Sequence, residues 1–369
     1  MKDHGILVVK IGSNTLVDAQ GHVDRAFLAD MAGQIAQAQS GGWKVVVVTS
    51  GAVASGLGAL GLTERPPGIS TKQALAAIGQ ARLMTAWQEA LDAHHLIAAQ
   101  ILLTGEDFTN RRRYLNLRAA MRSLFEQGAV PIINENDTVA VEELAVGDND
   151  RLSALVASQL EAKLLVLLTD IDGFYDADPR VEPKAKLVPV LTGISAQDLK
   201  KAGDAGKRGR GGMRSKLLAG RIASSAGVPT IICKGREENV VTRVLAGEAL
   251  GTRINPPDGS HKSSRRRWLG HARNTKGSIT IDDGARRALV DQGRSLLPVG
   301  VTAVSGTFDR GDTIEISDQT GAVLARGLTG LSAKELDLIK GHTMNAAEGL
   351  LGYSLPKTAV HRDDLILDV

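Results

Sequence analysis

The chain has 369 residues, of which 43% are hydrophobic and 23% are charged, with 44 Lys and Arg against 41 Asp and Glu. This ordinary globular composition excludes a disordered or fibrous chain, and the net charge of +3 is too small to indicate DNA as a partner. The single cysteine, Cys233, excludes an intrachain disulfide framework and a zinc site built on cysteines. No apolar run is long enough for a membrane span, and the N-terminal residues do not read as a signal peptide. We therefore expect a cytoplasmic protein with two domains and no membrane partner.

Over the first 250 residues, short β-branched runs alternate with longer amphipathic segments. This pattern is typical of an α/β fold with a mainly parallel sheet sandwiched by helices. The runs are almost unbroken aliphatic stretches, as expected for strands that are buried on both faces. The predicted strands are residues 6–11, 44–49, 97–103, 130–133, 164–169 and 228–232. The predicted covering helices are residues 24–39, 71–93, 112–127, 148–160 and 212–226.

The residue pattern changes after a polar stretch that contains Pro-Pro, Gly, Ser and three consecutive arginines. Beyond this stretch we predict one helix at 283–292 and short strands at 279–281, 301–304, 313–316 and 323–327. We therefore predict three segments. They are an α/β domain at 1–253, a linker at 254–276, and a small β-rich domain with a C-terminal tail at 277–369.

Glycine-rich segments lie at the ends of predicted strands or at the start of a helix, at residues 8–14, 45–56 and 209–217. In open α/β sheets, ligands bind at the carboxyl ends of the strands, and free backbone N–H groups there suit anions. Any one segment could be only a tight turn, but the three together favour an anion site, with phosphate as the anion. The chain has neither the GxxxxGK[ST] motif nor a GxGxxG motif that opens a helix after a strand. These absences argue against a P-loop protein and a dinucleotide oxidoreductase.

Two lysines belong to these segments. Lys10 interrupts the aliphatic run of the first predicted strand. Because burial of an unpaired ammonium group is costly, an anion at this position is favoured over a lysine that extends to solvent. Lys216 lies at the end of the third segment, just inside the predicted helix at 212–226, and taken alone it is typical of a solvated helix lysine.

Acidic and amide residues follow the fourth predicted strand, as NEND at 134–137 and GDND at 147–150. Helix capping would explain Asp148 but not the first cluster. Asp and Asn together supply an acceptor for an ammonium group and a donor for a carboxylate, which are the two needs of an amino-acid substrate. They could equally hold Mg²⁺ through water, so the residues leave both uses open. The segment LLTDIDGFYDADPR at 167–180 is either a nucleotide pocket at a strand end or an ordinary surface loop.

In order and spacing, VVKIGS, VTSGAVASG, INENDTV, VGDNDRLSALVA, LLTDIDGFYDADPR and GGMRSKL resemble the motifs of the amino-acid kinase family. The later part of the chain resembles a PUA domain, so the resemblance covers nearly all 369 residues. Within the family, the motifs are similar to those of the kinases that act on glutamate. This resemblance implies ATP- and Mg²⁺-dependent transfer of the γ-phosphoryl group to the side-chain carboxylate of L-glutamate, the first step of proline biosynthesis.

The resemblance also implies a role for particular residues. Lys10 and Lys216 would hold and neutralise the phosphoryl group as catalytic residues, with Asp150 positioning the two lysines. Glutamate binding is implied for Ser50, Gly51, Asp137 and Asn149. ATP binding is implied for Lys10, Thr169, Asp170, Gly211, Gly212, Met213, Arg214, Ser215, Lys216 and Leu217. The resemblance assigns no protein group to Mg²⁺, and a carboxylate acceptor needs no general base because it is already an anion at neutral pH.

Two alternative functions stay open at this point. A different amino-acid kinase, acting on acetylglutamate or aspartate, would share the fold and the lysines, although aspartokinases carry another type of small regulatory domain. An RNA-binding protein is suggested by the PUA resemblance and by the arginines at 265–267, but the near balance of charges after residue 254 weighs against it. The resemblance further leads us to expect a homo-oligomer and inhibition by free proline.

Overall fold

The structure is a computed structural model that describes residues 3–18, 22–64, 66–109, 111–140, 149–179, 181–202, 212–257, 275–343, 346 and 358–367. The chain divides into two compact units. The first contains Met1–Asp107 and Asn116–His261, and the second contains Phe108–Leu115 and Lys262–Val369. Most of the predicted linker, residues 258–274, lies outside the described residues. No helix in the described ranges combines the length and apolar character that a membrane crossing requires.

The first unit is organised around a mainly parallel sheet. Its described strands are β1 Gly5–Ile11, β2 Trp43–Val48, β3 Ala98–Leu103, β4 Val130–Glu135, β5 Leu164–Thr169, β6 Val190–Thr192, β7 Thr230–Lys234 and β8 Thr252–Asn255. They follow the order β3-β4-β2-β1-β5-β7-β8-β6, and only the β7–β8 pair is antiparallel among these described strands. Strand β1 lies in the middle, with Lys10 opposite Val48 of β2 and opposite Leu167 of β5. The carboxyl ends of β1, β2, β4 and β5 therefore lie along one edge of the sheet.

Helices alternate with these strands along the chain. They are α1 Ser13–Leu16, α2 Arg25–Ser40, α3 Ala52–Ala59, α4 Ile69–Asp92, α5 Glu106–Thr109, α6 Arg111–Glu126, α7 Asn149–Gln159, α8 Ala196–Lys201, α9 Met213–Ser225 and α10 Val240–Leu245. Buried side chains of α2, α4 and α10 pack with those of β1, β2 and β5 in one aliphatic core. This packing explains why the valines and leucines of the central strands are almost completely buried.

Helices α3 and α4 pack very closely because glycines occupy the place where they meet. A Cβ atom at Gly79 of α4 would lie 1.8 Å from the carbonyl oxygen of Ala52, and one at Gly56 of α3 would lie 2.0 Å from that of Leu75. Both distances are far inside van der Waals contact, so only glycine fits at either position. Helix α4 therefore fixes the start of α3 and, with it, the turn at Gly51.

The second unit contains a five-stranded sheet of described strands in the order β10-β9-β11-β12-β13. Its elements are β9 Gly277–Ile281, α11 Asp283–Val290, a 3₁₀ turn Pro298–Gly300, β10 Val301–Gly306, β11 Thr313–Ser317, β12 Val323–Thr329, α12 Ala333–Ile339 and β13 Val360–Leu367. These strands and helices enclose a separate apolar core. Tyr114 is buried in this unit, where it packs with Leu328 and Ile366.

The predicted fold class is confirmed, and the six strands and five helices predicted for the first 250 residues are all present within a few residues of their expected bounds. The sequence pattern did not predict the short or edge elements α1, α3, α5, α8, α10, α12, β6, β8 and β13. Strand β8 also continues two residues into the predicted linker, because Ile254 is completely buried.

Candidate active site

Three buried charged side chains meet at the carboxyl end of β1. Lys10 projects from β1, Asp150 lies at the start of α7, and Lys216 lies in the first turn of α9. Asp150 Oδ1 is 2.5 Å from Lys10 Nζ, and Asp150 Oδ2 is 3.2 Å from Lys216 Nζ. All three residues are less than 7% exposed. The interpretation of Lys216 as a solvated helix lysine is therefore wrong, because this side chain reaches inward to a carboxylate on another helix.

This cluster holds a net positive charge in a buried position, since two ammonium groups share one carboxylate. Ser215 Oγ also donates a hydrogen bond of 2.8 Å to Asp150 Oδ2. Burial alone would raise the pKa of Asp150, but the charges of Lys10 and Lys216 outweigh burial and hold this pKa well below its ordinary value. Asp150 therefore stays ionised at neutral pH and keeps the lysines together. The three groups alone sum to one positive charge, but Asp170 lies within electrostatic reach of Lys216. The feature that suits an anion at this edge of the sheet is therefore the close pair of ammonium groups.

A chain of amide and hydroxyl groups lies beside the cluster. Asn149 Nδ2 donates to Ser50 Oγ at 2.9 Å and to Asn134 Oδ1 at 3.1 Å, and Asn134 Nδ2 donates to Gln80 Oε1 at 2.9 Å. The backbone N–H of Glu135 also donates to Asn134 Oδ1, which fixes that oxygen as an acceptor. The chain thus links the turn after β2, the end of β4, the start of α7 and helix α4.

The orientation of Asn149 leaves a polar atom for a ligand. Because its Nδ2 makes both hydrogen bonds of the chain, its Oδ1 points elsewhere, and this buried oxygen accepts no hydrogen bond within the described part of the chain. A buried acceptor without a donor is costly. A ligand that carries N–H groups would satisfy it.

Asp137 lies in the loop after β4 and forms an ion pair with Lys72, which the sequence pattern did not indicate as a site residue. Asp137 Oδ1 is 2.6 Å from Nζ of Lys72, which lies in the first turn of α4. Both side chains are partly exposed, Asp137 at 15% and Lys72 at 27%, so a ligand could reach them.

Thr169 is the last residue of β5, which pairs with β1, and Asp170 follows it directly. Thr169 is buried, and its Oγ1 donates to Asp170 Oδ1 at 3.0 Å. Asn14 Nδ2 donates to Asp170 Oδ2 at 3.1 Å. Burial acts to raise the pKa of Asp170, but the hydrogen bonds from Asn14 and Thr169 prevail and lower it below the ordinary range. Asp170 is therefore an ionised and oriented acceptor at a strand end.

The segment predicted to bind ATP is described from Gly212 to Leu217, whereas Gly211 lies outside the described residues. Gly212 caps α9 in an extended conformation. The side chain of Leu217 is fully buried in the core, and Arg214 Nη1 donates to the carbonyl oxygen of Leu199 at 3.3 Å. Contacts from this segment to a ligand would therefore come from Lys216 and the backbone of its first turn rather than from Leu217.

The predicted site residues thus fall into neighbouring groups along one edge of the sheet, and three further residues join them. Lys72 and Asn14 contact the predicted site residues Asp137 and Asp170, and Gln80 contacts Asn134 of the NEND segment. The sequence did not single out these three, because polar side chains on helices are usually solvated. Within the described ranges, no group of three or more His, Cys, Asp or Glu side chains forms a metal site.

Comparisons with known proteins identify both parts of the chain. Residues 5–234 match the amino acid kinase family, and residues 277–350 match the PUA domain. A glutamate 5-kinase from Citrifermentans bemidjiense is 46% identical over 362 residues, which is 98% of this chain and 97% of the relative. A glutamate 5-kinase from Pseudomonas entomophila is 46% identical over 361 residues, with the same coverage of both chains.

Solved structures support the fold of the first unit. Carbamate kinase from Giardia lamblia, solved with bound AMP-PNP, aligns with 68% of this chain and 98% of its own, at a TM-score of 0.50 and 18% identity. The family match covers more than half of the residues, and the relatives are covered almost completely. The chain therefore belongs to the amino acid kinase family and carries a C-terminal PUA domain.

Proposed function

We propose that the protein is a glutamate 5-kinase, which transfers the γ-phosphoryl group of ATP to the side-chain carboxylate of L-glutamate and so begins proline biosynthesis. The observation that carries the proposal is the buried Lys10–Asp150–Lys216 cluster, in which one carboxylate holds two ammonium groups at the carboxyl end of β1. Nearly full-length relatives named glutamate 5-kinase support the choice of substrate.

The cluster fits phosphoryl transfer to a carboxylate. Glutamate's side chain is an anion at neutral pH, and the phosphoryl group carries further negative charge, so the reaction brings like charges together. Lys10 and Lys216 would neutralise that charge, while Asp150 holds both ammonium groups in fixed positions. Because the acceptor carries no proton, no side chain has to act as a general base.

The amide chain and Asp137 fit the amino-acid end of glutamate. The substrate ammonium group can donate to Asp137 and to the buried Oδ1 of Asn149, which has no donor among the described residues. Ser50 accepts a hydrogen bond from Asn149 and lies, with Gly51, directly before α3. Backbone N–H groups at this helix start can donate to the α-carboxylate of the substrate. Binding at both ends of the substrate would orient its side-chain carboxylate towards the lysines.

ATP would lie on the other side of the cluster. Thr169, Asp170 and the first turn of α9 provide acceptors and donors for the nucleotide, and Lys216 extends from this turn into the cluster. Both oxygens of Asp150 are already engaged by Lys10, Lys216 and Ser215, so Asp150 does not fit a direct ligand for Mg²⁺. The ion would be held by phosphate oxygens and water, and it would supply positive charge beside the phosphates.

The test is a substrate comparison with the purified full-length protein. We expect ADP release that requires both Mg²⁺ and L-glutamate, together with an acyl phosphate that hydroxylamine traps as a hydroxamate. Aspartate and acetylglutamate serve as the competing acceptors, because the other amino-acid kinases act on them. Equal turnover with either compound would contradict the proposal.

We further propose that free proline inhibits by competing with glutamate in a homo-oligomeric enzyme. Proline shares the α-carboxylate of glutamate and carries a secondary ammonium group, so it can occupy the part of the site near Asp137 and Gly51. Millimolar proline should raise the apparent KM for glutamate and leave kcat unchanged. A glutamate saturation curve that does not move with proline would contradict this regulation.

A further inference from the structure

Lys72 is a charged residue at the amino-acid end of the proposed site that has not yet been assigned a role. Its Nζ lies 2.6 Å from Asp137 Oδ1, and its side chain is 27% exposed. The phosphoryl-transfer chemistry does not use this residue, since Lys10 and Lys216 supply the charge at the other end of the substrate.

The elements that carry Lys72 and Asp137 are held together by further polar contacts. Helix α4 makes two more polar contacts with the same strand end and loop. Gln73 Nε2 donates to the carbonyl oxygen of Ala140 at 3.4 Å, and Gln80 Oε1 accepts from Asn134 at 2.9 Å. These contacts fix the start of α4 beside the loop that carries Asp137. The ammonium group of Lys72 is therefore held near the predicted position of the substrate's α-carbon.

The two charges match the two charges of an α-amino acid. A free amino acid carries an ammonium group and a carboxylate on one carbon atom, so it presents opposite charges a few ångströms apart. If the substrate ammonium binds to Asp137, the neighbouring carboxylate comes close to Lys72. One ion pair then becomes a group of four alternating charges with no change in net charge, which limits the cost of partial burial. Lysine suits this task because its ammonium group is a compact charge on a flexible chain.

We propose that Lys72 binds the α-carboxylate of the substrate and selects acceptors in which this carboxylate is free. The inference rests on the proposed function, because it needs a glutamate-like substrate whose ammonium group meets Asp137. The competing explanation is that Lys72 only balances the charge of Asp137 and never contacts the substrate.

A comparison of two substrates with three proteins distinguishes these explanations. The substrates are L-glutamate and its α-amide, which keeps the ammonium group and the reacting carboxylate but replaces the α-carboxylate by a neutral group. The proteins are the wild type, Lys72→Met, which keeps the length of the side chain without its charge, and Lys72→Arg. We measure kcat and KM by ADP release and by hydroxamate formation.

Loss of the charge should matter only for the substrate that carries the α-carboxylate. We expect Lys72→Met to lower kcat/KM for L-glutamate by about ten- to a hundredfold, mainly through KM, as is typical for a lost hydrogen bond between charged groups. With the α-amide, the wild type and Lys72→Met should differ by less than about threefold. Lys72→Arg should keep a measurable part of the preference for L-glutamate.

The control is Lys44→Met, since Lys44 forms a similar exposed ion pair of 2.8 Å with Asp3 near the start of β2, at the opposite edge of the sheet. This variant should leave the kinetics with both substrates unchanged. Melting temperatures of all variants show whether each protein is folded. If Lys72→Met is unstable, the two substrates are compared in Lys72→Arg and the wild type instead.

Other outcomes overturn the inference in distinguishable ways. Equal losses with both substrates would show that Lys72 acts only through Asp137. An unchanged KM for glutamate in Lys72→Met would show that Lys72 does not bind the substrate, and a lower KM would show that Lys72 obstructs the ammonium position. A folded wild type that is inactive with L-glutamate would contradict the proposed function itself, and that result is read from the wild-type protein alone.

Discussion

At the scale of single residues, the two ends of the proposed glutamate site should have different kinetic signatures. Lys216 meets charge that shifts during transfer, whereas Asp137 contacts a group that is the same in the ground and transition states. We expect Lys216→Met to lower kcat by about 10²–10³-fold and Asp137→Asn to act mainly on the KM for glutamate. Steady-state kinetics on folded variants provide the measurement. An unchanged kcat in Lys216→Met would rule out this role for the lysine.

The free thiol gives a second prediction at this scale. Cys233 lies on β7 and is 2% exposed, and burial, helped by the charge of Glu237, raises its pKa to about 12. Because the thiolate is the reactive form, the native protein should resist iodoacetamide at pH 8, and the protein in urea should gain one adduct. Intact-mass spectrometry after one hour checks both states. An adduct on the native protein would show that β7 opens on this timescale.

The sequence predicts some site residues better than others for a physical reason. Lys10 stands out because it interrupts an aliphatic strand, and a buried charge needs a partner. Lys216 does not stand out, because its burial depends on Asp150, which is 66 positions away in the sequence. Lys72 and Gln80 occupy helix positions that would ordinarily be solvated. Only the packing of α4 against the end of β4 gives these two residues partners.

At the scale of secondary-structure elements, the contact between α3 and α4 gives a stability prediction. The Cβ atom of Gly79→Ala would lie 1.8 Å from the carbonyl oxygen of Ala52, so the helices must separate. Overpacking of this kind costs about 1–3 kcal/mol or more in the free energy of unfolding. We also expect a higher KM for glutamate, because α3 begins directly after Gly51. Urea denaturation and steady-state kinetics measure the two effects.

Gly33→Ala is the matched control for this prediction. Gly33 also lies inside a helix, but a Cβ atom there would meet only the His94 side chain, at 3.6 Å, which is ordinary contact. Alanine is the better helix former by about 0.5–1 kcal/mol, so this variant should be neutral or slightly more stable. If both variants were equally destabilised, the close approach of α3 and α4 would not be the cause.

The elements that the sequence did not predict share a weak local signal. Helix α3 contains two glycines, which disfavour an isolated helix, and it forms where it can pack on α4. Strand β6 has only three residues, at the edge of its sheet. Strand β13 contains consecutive charged residues and pairs with β12 alone among the described strands. Tertiary contacts determine whether these three elements form, whereas the central strands are specified by their own aliphatic runs.

At the scale of the whole molecule, we propose that the residues before the linker can perform phosphoryl transfer without the C-terminal part of the chain. Every described residue assigned to the reaction lies in the first unit, and β8, the last strand of its sheet along the chain, ends at Asn255. A protein that ends after residue 257 should therefore keep its kcat at saturating ATP and glutamate. It should also melt at a lower temperature, because Tyr114 would lose its contacts with Leu328 and Ile366.

The substitution Tyr114→Ala in the full-length chain separates the effect on stability from any effect on kcat. Tyr114→Ala should destabilise the protein by about 3 kcal/mol or more, as is typical when a buried aromatic side chain is removed, without a change in kcat. Circular dichroism melts and saturating kinetics on both proteins provide the measurements. A truncated protein that is folded but inactive would show that the C-terminal residues complete the site.

The shared carboxylate of Asp150 also constrains the order in which the chain can lose its activity over evolutionary time. Replacement of Lys10 or Lys216 leaves one lysine paired with Asp150, so the buried charges stay balanced. Replacement of Asp150 leaves two ammonium groups against each other, and an uncompensated buried charge typically costs about 3–5 kcal/mol. A descendant that no longer needs the reaction should therefore lose a lysine first and the aspartate later. Among inactive descendants of this fold, Asp150 should be retained more often than Lys10 and Lys216 are retained together.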